Sequence, residues 1–328
     1  MKFRNICLYL LLGFYFMLTS CTEDEVSLEG NWIRQSDFEG DARSGAAVFV
    51  INERAYVGTG YDGDERLTDF WSYDVNRNFW QRITELPDSS FTPRNGAFAF
   101  SANGKGYIGG GYDGQDYLKD LWEYDPITNG WSQKSDFIGS ARRNATTFSI
   151  DNKGYVLLGY DGSDTKDMYM YDPTTDQWTQ KVSFTGSKRS GATAFVINGK
   201  AYVGFGRNNG IYEEDFWEYD PVNDSWRRLQ DMDETSEAIA RDFAVGFVID
   251  GRGYVATGNR NTPMTSTWEY DPALDEWTEK TAMEGIARLE ALGFVVRNRG
   301  FLVTGRNANQ RLDDLWELAP FVEENEDD

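Results

Sequence analysis

A six-fold internal repeat limits what this chain can fold into more than any other feature. Six arginines mark it: Arg43, Arg94, Arg142, Arg189, Arg241 and Arg288. Seventeen residues after each stands a glycine: Gly60, Gly111, Gly159, Gly206, Gly258 and Gly305. An aromatic follows 27 or 28 residues after each arginine, at Trp71, Trp122, Tyr169, Trp217, Trp268 and Trp316. Nine residues further on come Trp80, Trp131, Trp178, Trp226 and Trp277, whereas the sixth repeat has Asn325 at that place. The missing tryptophan is Trp32, 11 residues before Arg43, just as Trp131, Trp178 and Trp277 precede their arginines by 11. Such periodicity is the mark of stacked supersecondary units, each packing on its neighbours.

Each unit reads as four short strands. In the first they are Ala46–Ile51 (a), Ala55–Gly58 (b), Phe70–Tyr73 (c) and Phe79–Arg82 (d), with Tyr-Asp-Pro turns after strand c in units 2 to 5. Placing Trp32 in the sixth unit makes Asn31–Asp37 its outer strand. The N-terminus then closes the ring and leaves no open sheet edge. The expected fold is an all-β, six-bladed β-propeller over residues 31–320.

An apolar strand a, a Tyr-bearing strand b ending in Gly, and two spaced aromatics together resemble the kelch repeat. One departure stands out: the paired glycines of that family survive complete only as Gly110-Gly111. Elsewhere the second alone remains, as in Thr59-Gly60 or Leu158-Gly159. The resemblance brings in copper-radical oxidases and a sialic-acid epimerase as relatives. It also brings in propellers that bind acidic peptides through arginines, whose segments Arg43-Ser44-Gly45 and Gly206-Arg207-Asn208-Asn209 resemble.

Composition removes several chemistries. There is no histidine, so His-based acid–base work, Ser-His-Asp triads and a copper site are excluded. The two cysteines, Cys7 and Cys21, both precede the repeats. The net charge of −22 repels nucleic acid. No cofactor is expected. The Asp-Gly-x-Asp loops, such as Asp161–Asp164, offer oxygens to Ca²⁺ but fall short of a full ligand set.

The start of the chain reads as an address. Lys2 and Arg4 precede an apolar run from Ile6 to Leu18, too short to span a bilayer. Leu18-Thr19-Ser20-Cys21 resembles the lipobox of bacterial lipoproteins. The resemblance implies a signal peptide over residues 1–20, lipidation of Cys21 and a tether over residues 21–30. The acids of Thr22-Glu23-Asp24-Glu25 resemble an export signal for surface-exposed lipoproteins of the outer membrane. An acidic tail, residues 321–328, ends the chain. Tether and tail both leave on the face of the c–d turns, so the membrane lies on that side, and the d–a and b–c loops look outward.

Candidate binding residues gather on that outward face. The six arginines are expected near the channel mouth, either facing a ligand or paired within each blade with Asp69, Asp120, Asp167, Asp215 and Asp314; blade 5 has Ser266. After the strand-b glycine come Tyr61, Tyr112 and Tyr160 in blades 1 to 3. Blades 4 to 6 have Arg207-Asn208, Asn259-Arg260 and Arg306-Asn307. This polarity suits a polar ligand, through aromatic faces and donor forks, or reflects turn chemistry alone. Glu290 replaces a small residue at the inner rim. It is the one catalytic candidate, through a carboxylate pair with Asp64, Glu65, Asp116 or Asp164, or else it bridges to an arginine. Three functions stay open: capture of a glycan or protein ligand, an epimerase- or lyase-type enzyme, and a scaffold using the long loops Gln81–Pro93 and Arg227–Ala240.

Overall fold

In the computed structural model, which describes residues 28–87, 90–232 and 239–323, six four-stranded antiparallel sheets form the blades. Signal peptide, Cys21 and the end of the acidic tail lie outside the described residues. Strand bounds move by one or two residues from those expected. Blade 1 runs Ala47–Ile51, Arg54–Gly58, Phe70–Asp74 and Phe79–Arg82. Blades 4 and 5 each add a two-stranded hairpin in the b–c loop, Arg207–Asn208 with Ile211–Tyr212 and Asn259–Arg260 with Thr262–Pro263.

Blade 6 closes the ring as the tryptophan count demands. Its outer strand, Glu29–Arg34, pairs with the nine-residue strand c, Leu315–Glu323. The outer strand begins two residues earlier than expected and ends at Arg34, whose side chain turns to Asp37 in an ion pair. Strand c in turn runs past residue 320. Glu29 lies opposite Glu323, so the described residues begin and end side by side on the c–d turn face. Trp32 is fully buried, and its indole N–H donates to the Thr267 hydroxyl of blade 5 at 3.2 Å. Burying so large a ring stabilises the closure by about 3–5 kcal/mol.

The core lies between blades. Phe49 of blade 1 stacks on Tyr56 and meets Tyr124 and Trp131 of blade 2. The outer tryptophans also reach across: Trp80, Trp131 and Trp178 donate to the carbonyls of Ser36, Thr84 and Ser135 in the preceding blade. No blade completes its core alone, which is why the repeat must close into a ring.

Candidate functional site

The repeated arginines build the ring and are sealed from solvent. All six are 0% exposed. Arg43, Arg94, Arg142, Arg189 and Arg288 pair at 2.5–2.6 Å with Asp69, Asp120, Asp167, Asp215 and Asp314 of the same blade. Four of these aspartates also accept the indole N–H of the strand-c tryptophan two residues on. Burial would push the Asp69, Asp167 and Asp314 carboxyls up, but the guanidinium bonds outweigh it and hold them below the usual range. In blade 5 Ser266 replaces the aspartate, Trp268 loses its acceptor, and burial pulls Arg241 down to about 10. The expectation that these arginines offer donors at the mouth is therefore corrected, because their donor atoms point into the blade.

Their backbone does equally specific work. The strand-b glycine of each blade donates its N–H to the carbonyl of the arginine in the next, from Gly60 to Arg94 round to Gly305 and Arg43, all at 2.8–2.9 Å. These glycines have φ of +87 to +104°, and a Cβ on Gly159 would lie 2.9 Å from backbone of Ala145 and Arg143. The preceding residues, Thr59, Gly110, Leu158, Phe205, Thr257 and Thr304, have φ of +56 to +63°, which L residues can enter at a cost. Hence the second glycine of the kelch pair is kept and the first is replaced.

Two residues past each arginine a ring of left-handed residues, φ +53 to +66°, surrounds the channel: Gly45, Gly96, Asn144, Gly191, Phe243 and Glu290. Phe243 and Glu290 are bulky there, a strained choice that delivers both side chains to the mouth. Above them opens a cup of about 600 Å³, lined by Arg143, Asn144, Tyr160, Asp164, Ser190, Arg207, Asn209, Phe243, Glu290 and Arg306 among others. Arg306 clasps Glu290 through Nε and Nη2 at 2.8 and 3.2 Å. Glu290 thus pairs with the cup's own arginine. Asp164 shares the cup, but its carboxylate accepts from the Asn209 backbone N–H at 3.0 Å. Asp64, Glu65 and Asp116 stand exposed on loop tips and do not line the cup. Asp242, 1% exposed, lies 3.4 Å from Arg207 and accepts from Asn259; burial pushes its carboxyl up.

The expected division of blades 1–3 from 4–6 shifts by one blade. Asp62, Asp113, Asp161 and Asn307 each cap the next turn by accepting backbone N–H groups, so blade 6 follows the geometry of blades 1–3. This spends those oxygens on turn chemistry. Tyr61 and Tyr112 do not offer open faces: each hydroxyl donates to a loop carbonyl, of Gly63 and Gly114, and each ring is covered by arginines. The structure brings Tyr160, Arg207, Arg306 and Glu290 together. Asn208 lies in the blade 4 hairpin and Arg260 extends toward Glu214, both outside the cup lining. Arg143, Asn144 and Phe243 also line the cup, and none of the three was a candidate binding residue from the sequence. The signal for Asn144 and Phe243 was their departure from Gly at a repeat position.

The chain matches the KLHDC2/KLHL20/DRC7 Kelch-repeats domain over residues 22–188 and 138–258. It is 33% identical over 99 residues to an N-acetylneuraminate epimerase of Pasteurella multocida (strain Pm70), a stretch covering 28% of this chain and 24% of that protein. The chain thus aligns with about a quarter of that relative's length. A solved structure described as "Structure of YjhT" superposes with a TM-score of 0.74 at 15% identity, covering 86% of this chain and 95% of the other. That likeness extends the propeller architecture to nearly the whole ring. With the matched segments together covering most of its repeats, the chain belongs to the KLHDC2/KLHL20/DRC7 Kelch-repeats domain family.

Proposed function

We propose that this protein is a lipid-anchored binding module of the bacterial outer membrane that captures an acidic glycan in the cup at the mouth of its channel. The observation that carries the reading is Arg143: it lines the cup and makes no ion pair among the described residues of a strongly acidic chain. Asn144, Ser190 and Asn209 add amides and a hydroxyl suited to sugar hydroxyls. In this reading an anchor at Cys21 lies on the c–d turn face, where Glu29 stands opposite Glu323, and the mouth looks away from the membrane. Melting temperature measured against a panel of neutral and acidic sugars and acidic peptides tests it. A selective rise with acidic sugars, lost in the Arg207→Ala, Arg306→Ala double variant, is expected. A rise with acidic peptides instead would move the ligand to the protein class.

A second reading is an epimerase acting on an acidic sugar. It is favoured by the stretch shared with an N-acetylneuraminate epimerase and by Glu290 in the cup. Following the anomers of N-acetylneuraminate by NMR separates the two. Equilibration faster than in buffer, abolished in Glu290→Gln, would establish the enzyme.

A further inference from the structure

We infer a second, extended site beside the cup: a crest of alternating arginine and tyrosine that binds the continuing chain of an acidic oligosaccharide whose end group sits in the cup. It rests on the acidic-glycan reading of that cup. The Arg311 guanidinium lies 5.0 Å from the Tyr61 ring, and Arg66 stands between Tyr61 and Tyr112 at 5.2 Å from each. Arg143 follows, 5.0 Å from Tyr112 and 5.7 Å from Tyr160. Successive guanidiniums are therefore no more than about 10 Å apart, along a line from blade 6 through blades 1 and 2 to blade 3. The Asp-Gly turns make room for it: a Cβ on Gly114 would meet Arg66 at 2.6 Å, and one on Gly63 would meet Arg311 at 3.4 Å. At Gly162 nothing lies within 4 Å, and Asp164 bridges Tyr160 where Arg66 bridges Tyr61. The crest thus ends at blade 3, where Arg143 hands over to the cup.

Charge decides what it takes. Every other solvent-reaching arginine among the described residues lies within 4.0 Å of a carboxylate. Arg66, Arg143 and Arg311 have none. Arg66 spends only Nε, on Asn95 and the Tyr112 carbonyl, while the Arg143 and Arg311 guanidiniums make no hydrogen bond. Tyrosine rings hold these cations in place without neutralising them. Since the rings are covered, the crest presents guanidinium edges and no stacking platform, so it selects anions over neutral sugars. The exposed acids Asp64 and Glu65 precede Arg66 in the chain and Asp116 precedes Tyr117, and among the described residues none of them pairs with the three arginines. They repel indiscriminate polyanions and require carboxylates spaced to reach the arginines.

The test is titration of the full-length protein, purified in detergent, with galacturonate and its linear oligomers of increasing length. Affinity should rise about tenfold or more from monomer to the longest oligomer. Arg66→Gln and Arg311→Gln should abolish that gain and leave monomer affinity unchanged. If Arg66→Gln lowers the melting temperature, Arg311→Gln, which loses no hydrogen bond, carries the comparison alone. Monomer binding without gain in length overturns the crest and leaves the cup standing. A gain that survives Arg306→Ala but not Arg311→Gln supports the crest against the cup. Equal binding of a glutamate peptide of the same charge overturns the saccharide class, and no binding by any oligomer overturns the crest outright.

Discussion

At the residue scale, one residue type does two opposite jobs. Five of the six repeated arginines are sealed with aspartates inside the blades, while Arg66, Arg143 and Arg311 lie outside them and form no ion pair among the described residues. Breaking a buried pair strands a charge, so Arg94→Leu should cost about 3–5 kcal/mol in urea unfolding. Arg311→Gln should cost less than about 1 kcal/mol. Blade 5 offers the converse: Ser266→Asp supplies the acceptor Trp268 lacks and should raise the melting temperature, by about 1–2 kcal/mol in stability. The paired aspartates also set a pH dependence. The folded-state carboxyls of Asp69, Asp167 and Asp314 titrate below the unfolded value of about 3.9. Their contribution is present above that value and is lost as pH falls through the folded one. Unfolding free energy should therefore hold steady from pH 7 to 5 and drop steeply below pH 4; a flat profile down to pH 3 would contradict the pairing.

At the element scale, the blade was legible because its signals repeat. Trp spacing, the Tyr-Asp-Pro turns and the closing Trp32 all report local packing that recurs six times, so coincidence cannot imitate it. The strand-b ending shows why the kelch glycines are unequal. Gly159→Ala pushes a Cβ into backbone at 2.9 Å and should destabilise severely, by about 3 kcal/mol or more. Thr59→Gly relieves a left-handed threonine whose hydroxyl is buried without a partner, and should change stability by no more than about 1 kcal/mol. Urea midpoints of the two variants test the contrast. What the sequence hid was direction. Spacing alone put the six arginines near the channel start, but not whether their forks pointed outward or into the blade. Arg66 and Arg311 share one repeat position, 23 residues after Arg43 and Arg288, but the other blades carry no arginine there, and Arg143 has no counterpart, so the repeat did not mark them. Asn144, Phe243 and Glu290 were legible as departures from Gly, though only the fold shows that a left-handed backbone aims them at the mouth.

At the scale of the whole molecule, the described strands of blade 6 end at Glu29 and Glu323 on one face and the cup opens at the other. Ring closure should be all-or-none. Trp32→Ala removes the buried ring between blades 6 and 5 and should cost about 3–5 kcal/mol, read as a single cooperative shift. The proposed anchor is tested separately: Cys21→Ser should abolish incorporation of labelled fatty acid and release the protein from the membrane fraction. The central claim, that the cup recognises a sugar carboxylate, is tested most directly by calorimetric titration with acidic sugars and their methyl esters, on the parent protein and on Arg143→Ala. The account predicts that the acid binds at least about tenfold more tightly than its ester, and that Arg143→Ala erases the difference. Equal affinity for acid and ester, or a preference that survives Arg143→Ala, would contradict it.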